Sequence, residues 1–316
     1  MSPDPDVTVV IPTRGRPRLV TRAVRSALAQ SHRDLEVVVV IDGPDEATAA
    51  ALAELDDPRL RVVQLDASGG APNARNVGVR EARGRWVALL DDDDEWHPEK
   101  LATQRRLADA ASVPEPIVIS RLTVKTPRAE FVLPRRLPDP GEPLSEYFAV
   151  RRGLFHGDGF IQTSTIMAPT ALLRRVPFTV GLRRLQELDW GLRALGHDGV
   201  DLVIAPEPLV TWYADENRPR ISDDSPWQET LEWLRRSRPL VTRRAYAALA
   251  MSVVSAMAAP TRDLKVFSAL LREAQRHGHP HLIDYVTFLQ TWLVPAELRR
   301  SVRDLFKGRR SARQPA

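Results

Sequence analysis

Through its first third the chain alternates short apolar runs with amphipathic stretches. Val7-Thr8-Val9-Val10-Ile11, Glu36 to Ile41, Leu60 to Leu65 and Trp86 to Leu90 are apolar runs bounded by polar residues, the pattern of buried strands. Between them, Arg18 to Gln30 carries Leu19, Ala23, Val24, Ala27 and Leu28 on one helical face. Asp45 is suited to cap a second helix reaching Leu55, and Pro72 to Arg83 reads as a third. Strands separated by helices predict an α/β fold, a Rossmann-like, doubly wound and mostly parallel sheet that binds ligands beyond the carboxyl ends of its strands. Past Asp215 the pattern changes to helices alone: Pro226 to Arg238, Arg243 to Ala259, Arg262 to His277, Pro280 to Leu293 and Pro295 to Phe306. Proline at or near several of these starts fits the first helical turn. Leu231, Trp233 and Leu234, then Leu264, Phe267, Leu270 and Leu271, recur at helical spacing and read as packing stripes. Two regions are therefore expected, 1–215 with the sheet and 216–316 as an all-helical appendage.

The polar residues of chemical interest fall at the predicted strand ends. Pro12-Thr13-Arg14 follows the first strand, Asp42 the second, and Ser68-Gly69-Gly70 with Arg75 the third. A glycine pair lets backbone approach a ligand, and an arginine holds phosphate oxygens in bidentate fashion. The fourth strand runs into four consecutive carboxylates, Asp91, Asp92, Asp93 and Asp94. Carboxylates packed side by side repel and raise one another's pKa, and a hard divalent ion such as Mg2+ or Mn2+ relieves this while leaving positions open for phosphates. Taken singly, each feature has an ordinary structural account: Asp42 as a turn cap, the glycines as turn chemistry, Arg75 as a surface helix residue, the acidic run as a solvated turn. Four of them at successive strand ends point to a ligand site.

Composition narrows the class. The 316 residues are 43% hydrophobic and 27% charged, as in soluble globular proteins. The absence of cysteine removes disulfides, thiolate nucleophiles and sulfur-ligated metals. No basic start with an apolar stretch marks a signal peptide, and Ala245 to Ala259 is shorter than a membrane span, so a cytoplasmic protein is expected. The net charge of +4 is unevenly placed: seven cations between Arg299 and Arg313 face two acids, leaving the rest near neutral. Such a tail, spanning 299–313, is an expected peripheral contact with anionic membrane; a frayed, solvated terminus is the plainer alternative.

The residues together resemble the family 2 glycosyltransferases of the GT-A fold. The resemblance rests on Val9-Val10-Ile11-Pro12-Thr13, on Asp42, on Ala74-Arg75-Asn76, and on Leu90-Asp91-Asp92-Asp93-Asp94-Glu95-Trp96 with Pro98-Glu99-Lys100-Leu101, and covers roughly Val7 to Tyr213. It implies that Pro12, Thr13, Arg14, Asp42, Gly70, Arg75, Asp91 and Asp92 bind a nucleotide sugar, Asp42 at the nucleobase, usually uracil. It further implies that Asp93, with Asp91, holds Mn2+ or Mg2+ as the D-x-D motif, and that the sugar passes with inversion to an acceptor hydroxyl.

In the second half, Phe160 to Thr165 resembles the strand preceding the family's catalytic acid segment, and Leu185-Gln186-Glu187-Leu188-Asp189-Trp190 with Arg193 resembles that segment. Registered on Asp189 and Arg193, the general-base position falls on Glu187, with Asp189 beside it as a second catalytic carboxylate. Two positions depart from the pattern: Glu187 is longer than the usual Asp, and Tyr213 stands where many relatives carry a metal-site His. His156 is the histidine nearest in sequence to the acceptor segment. The expected partners are a nucleotide-sugar donor, UDP-linked by preference, and a glycan, lipid-linked saccharide or small-molecule acceptor, with no nucleic acid. Gly-x-Ser-x-Gly, His-Glu-x-x-His and P-loop motifs are absent. A sugar nucleotidyltransferase would need a Gly-rich basic loop for which Thr13-Arg14-Gly15-Arg16 is a poor substitute. A nucleotide-sugar-binding protein without catalysis remains the alternative from a different class.

Overall fold

The computed structural model describes residues 4–127, 129–153, 159–214 and 226–294. They form two compact units, Met1–Thr126 with Ile161–Glu216, and Pro127–Phe160 with Asn217–Ala316. The segment 127–160 thus groups with the C-terminal helices, where a boundary at 215 would have left it with the sheet.

The first unit is a sheet with helices against it. Strands β1 (Val7–Thr13), β2 (Leu35–Ile41), β3 (Leu60–Gln64) and β4 (Trp86–Leu89) are joined by helices α1 (Pro17–Leu28), α2 (Glu46–Ala53) and α3 (Ala71–Glu81). Completing the unit are β5 (Glu95–Trp96), α4 (Lys100–Ala110), β6 (Glu115–Lys125), β8 (Met167–Pro169), α6 (Thr170–Arg175), α7 (Gln186–Ala194) and β9 (Val200–Tyr213). The strand order is β3-β2-β1-β4-β8-β6-β9-β5. β3, β2, β1 and β4 are mutually parallel, with Val7 opposite Leu35 and Val10 opposite Leu89. β8 pairs antiparallel with β4 and β6, and β5 antiparallel with β9. The chain leaves β1 on one side to make β2 and returns on the other to make β4, so the crevice between their carboxyl ends is the switch point where such sheets take ligands.

Every residue of β1 and β2 is buried, which accounts for continuous apolar runs rather than alternation. Helix α3 lies close on β1: a Cβ on Gly78 would come 2.3 Å from Val10 Cγ1. The expected helix caps and boundaries hold within about two residues, including Asp45, whose carboxylate accepts from the Thr48 amide. One expectation fails. Phe160 to Thr165 is not a strand; Thr163–Thr165 is a 3-10 turn begun by the Gln162 side chain, and the strand is the short β8 after it. The polar run Gln162-Thr163-Ser164-Thr165 uses its side chains to bond backbone and carboxylates, which competes with a ladder.

The second unit contains β7 (Glu130–Leu133), α5 (Leu144–Ala149), α8 (Trp227–Arg236), α9 (Arg243–Leu249), a π turn Ala250–Val254, α10 (Ser255–Ala258), α11 (Leu264–His277) and α12 (Leu282–Leu293). Phe267 packs on Phe288 and Trp292, with ring centroids 4.7 and 5.4 Å apart. Leu231, Trp233, Leu234 and Leu270 are buried as expected, whereas Leu264, in the first turn of α11, is 77% exposed. The helix expected over Pro295 to Phe306, the basic tail and His156 lie outside the described residues. Among the described residues no helix is long and apolar enough to cross a membrane.

Candidate active site

The site is built from the loops that leave β1, β2, β3 and β4, closed by the start of α7. Its acidic part begins where β4 ends. A turn, closed by the Asp94 amide on the Asp91 carbonyl at 3.2 Å, folds the four carboxylates back on themselves. Asp91, Asp93 and Asp94 each offer an oxygen within 4.8 Å of the others. Asp92 points elsewhere, its carboxylate accepting from Thr13 Oγ1 at 2.8 Å and Arg16 Nη1 at 2.9 Å. Burial raises the Asp92 pKa, with Arg16 and Thr13 opposing the rise.

Asp94 is fully buried. One of its oxygens accepts from Ser164 Oγ at 2.6 Å and Gln162 Nε2 at 2.7 Å, while Oδ1 is buried with no hydrogen-bond partner. Burial first, then the charges of Asp93 and Asp91, push its pKa well above the ordinary carboxylate range. Ser164 and Gln162 also reach Asp91, Ser164 Oγ accepting from its amide at 3.0 Å and Gln162 Nε2 lying 3.3 Å from its carboxylate. Three converging carboxylates, one with an unpartnered buried oxygen, are an all-oxygen donor set of the kind hard divalent cations take. The residues therefore fit a divalent ion, with Asp94 added to the expected pair Asp91 and Asp93.

Arg75 links this cluster to α7. Its buried guanidinium donates to Asp91 Oδ1 at 2.7 Å and to Gln186 Oε1 at 2.5 Å. Burial opposes its charge, but Asp91 and Glu187 outweigh that and keep its pKa above the ordinary value. Leu185, just before α7, has φ 59°, a left-handed conformation unusual for leucine. Glu187, in the first turn, accepts from the Thr163 hydroxyl. Asp189 is turned inward: its Oδ2 accepts from Thr179 Oγ1 at 2.7 Å and from Arg193 Nε and Nη2 at 3.0 and 2.8 Å. Phe178, stacked on Trp190 at 5.6 Å, exchanges two backbone bonds of 2.8 Å with the Asn76 side chain and ties α3 to this segment.

At the end of β2 the Asp42 carboxylate gathers the glycine loop. It accepts from Ser68 Oγ at 2.6 Å, Gly69 N at 2.8 Å and Gly70 N at 3.0 Å, and Arg14 Nη1 donates to Ser68 Oγ at 2.7 Å. Gly70 stands at the start of α3 with φ 83°, a region glycine enters without strain. Pro12 is buried within β1 opposite Val40. Asp42, Arg14 and Gly70 thus meet in one loop cluster; Thr13 bonds Asp92 apart from it, Arg75 bonds Asp91, which shares the acidic cluster with Asp93, and Glu187 bonds Thr163. Tyr213, in the position read for a histidine, donates to Glu95 with Arg22 over its ring at 4.2 Å.

The sheet order, with carboxylates at its switch point and a carboxylate helix facing them, is that of the GT-A glycosyltransferases. The chain belongs to the glycosyl transferase family 2, whose family model matches residues 8–178. It is similar to the succinoglycan biosynthesis protein ExoO of Rhizobium meliloti, 46% identical over 107 residues, 34% of this chain and 31% of that protein. It is also similar to the amylovoran biosynthesis glycosyltransferase AmsB of Erwinia amylovora, 26% identical over 250 residues, 76% of this chain and 80% of AmsB. The matches to ExoO and the next two curated relatives span only 31 to 40% of those proteins' length. Among solved structures, S. aureus TarS in complex with UDP-GlcNAc superposes with a TM-score of 0.53 at 16% identity, over 96% of this chain and 89% of that one.

Proposed function

We propose that this glycosyltransferase moves a sugar from a UDP-sugar to an acceptor hydroxyl with inversion at the anomeric carbon. The observation that carries the reading is Arg75, whose two arms bond Asp91 of the acidic cluster and Gln186 beside Glu187. It ties the acidic cluster to the first turn of α7, the turn that carries Glu187. In this reading Pro12, Thr13, Arg14, Asp42, Gly70, Asp91 and Asp92 receive the nucleotide, with Asp42 accepting an imide N–H of uracil on a remaining lone pair. Asp91, Asp93 and Asp94 would hold Mn2+ or Mg2+, which would supply charge neutralisation for the diphosphate leaving group. Glu187 removes the proton of the acceptor hydroxyl as its oxygen attacks the anomeric carbon, and the bond from that carbon to the diphosphate breaks to release UDP. The Glu187 carboxylate lies in the first turn of α7, at the positive end of that helix. Asp189 supports the helix through Arg193 and Thr179 rather than meeting the acceptor.

ExoO and AmsB, named for succinoglycan and amylovoran biosynthesis, support a glycan as acceptor, here read as a nascent cell-surface or lipid-linked one. The basic tail would then bring the chain to an anionic membrane. Removal of residues 305–316 should abolish sedimentation with anionic liposomes at low salt and spare transfer to a soluble acceptor; salt-independent binding would refute the electrostatic contact. The donor is tested by melting the protein with several nucleotide sugars and Mn2+. A ligand at 100 times its Kd adds about 2.7 kcal/mol of stability. Stabilisation by UDP-sugars alone is expected, and equal stabilisation by guanine nucleotides would refute the uracil reading.

A further inference from the structure

Helix α1 carries Arg22 and Ser26 one turn apart, Gln30 follows two residues past its end, and all three bond the main chain of the acidic turn or of the residues after it. Arg22 Nη2 donates to the Asp93 carbonyl at 2.6 Å. Ser26 Oγ accepts from the Trp96 amide at 3.2 Å. Gln30 donates to the His97 carbonyl at 2.9 Å and accepts from the Leu101 amide at 3.0 Å, and the Ser31 amide donates to the Pro98 carbonyl at 2.9 Å. Residues at i and i+4, here Arg22 and Ser26, share one helical face. With Gln30 they run beside 93–101 and satisfy backbone groups at 93, 96, 97 and 101, in a stretch that also pairs with β9 at residues 95 and 96 and through the His97 amide on the Leu209 carbonyl. Just ahead of the same helix, Thr13 and Arg16 hold the Asp92 carboxylate.

We propose that α1 is the positioning element of the acidic turn, and that Arg22 is a positioning residue for the divalent-ion site formed by Asp91, Asp93 and Asp94. The Asp93 carbonyl belongs to the peptide joining Asp93 to Asp94, so the bond from Arg22 orients the backbone from which both carboxylates project. Arg22 is itself fixed, its guanidinium 4.2 Å over the Tyr213 ring and its Nε 3.9 Å from Glu95. Tyr213, bonded to Glu95, thus contributes to the site as the platform for Arg22. The inference rests on the reading that this cluster binds a divalent ion.

The three side chains act at increasing distance along the chain from the cluster, and this separates positioning from simple stabilisation. Arg22 acts at residue 93, Ser26 at 96, Gln30 at 97 and 101. Gln30 is the fully buried member and also donates to the Ser26 carbonyl at 3.2 Å. Its loss should lower the melting temperature most, while loss of Arg22 should lower metal affinity most. The test is titration of Mn2+ into the full chain with saturating UDP, read by the resonance signal of free Mn2+, with melting curves of each variant. Groups that orient metal ligands are worth about 10- to 100-fold in metal affinity. Arg22→Gln should lose that much, Arg22→Lys less, Ser26→Ala less again, and Gln30→Met least despite the lowest melting temperature. Arg22→Gln binding Mn2+ as the wild type does, or Gln30→Met losing as much affinity as Arg22→Gln, would overturn the positioning role and leave the ion site standing. A wild-type chain that binds no Mn2+ with UDP would overturn the ion site and the inference with it.

Discussion

Replacing Asp42 by asparagine isolates what its charge does. The carboxylate receives three donors, Ser68 Oγ and the amides of Gly69 and Gly70, spread over both oxygens. Asparagine keeps the shape but puts an NH2 in place of one oxygen, so one backbone amide must face a donor. Hydrogen bonds to charged groups contribute about 1.5–3 kcal/mol and neutral ones about 0.5–1.5. The Ser68 and Gly69 side of the loop is exposed, so water replaces part of what is lost, and a net cost of about 1–2 kcal/mol is expected. If Asp42 also accepts an imide N–H of the nucleotide, replacing that charged acceptor should cost binding about 1–2 kcal/mol as well, a roughly 5- to 30-fold weaker UDP complex. Isothermal titration with UDP, alongside melting curves, reads both. Ser68→Ala, which removes one donor to Asp42 and the acceptor of Arg14, should cost about 1 kcal/mol in the same assays. Wild-type UDP affinity in Asp42→Asn would refute the placement of the nucleotide against this loop.

Three further outcomes follow from buried charge. Asp94 has its folded pKa raised, so the folded state binds its proton more tightly; metal-free protein should gain stability as pH falls from neutral, and Asp94→Asn should flatten that slope in melting curves run with chelator. Lys100 is fully buried, donates to Gln104 Oε1 at 2.6 Å, and burial holds its pKa well below the ordinary lysine value. The unfolded chain therefore binds that proton more readily, stability should rise with pH toward the ordinary lysine range, and Lys100→Met should remove this rise. Asp189→Asn loosens a partly buried pair with Arg193 and should lower the melting temperature with a milder loss of transfer than Glu187→Gln.

The parallel half of the sheet was legible because β1, β2 and β4 are buried on both faces and write themselves as unbroken apolar runs. The two strands that run antiparallel to their neighbours were not: β5 has two residues and β8 three, too short for any periodicity. In the site, strand alternation would put Asp91 with Asp93 and Asp92 with Asp94. The turn from Asp91 to Asp94 breaks that alternation and returns Asp94 to the cluster, which no local pattern announces. Gln162 and Ser164 were missed as supports of Asp91 and Asp94 because their partners lie about seventy positions away; a polar run inside an apolar neighbourhood was the available signal. Glu187 was distinguishable from Asp189 only by register, and the inward bonds of Asp189 give that choice a physical basis.

In the proposed mechanism Glu187 takes the acceptor proton at a donor site it does not help to bind. That step is tested most directly by comparing wild type and Glu187→Gln in one assay, UDP released from the preferred UDP-sugar with saturating acceptor and Mn2+, with UDP affinity measured in parallel. A positioned general base typically contributes about 10²–10⁴-fold. Turnover reduced by that factor with unchanged UDP affinity is the expected result, and turnover close to wild type would contradict the account.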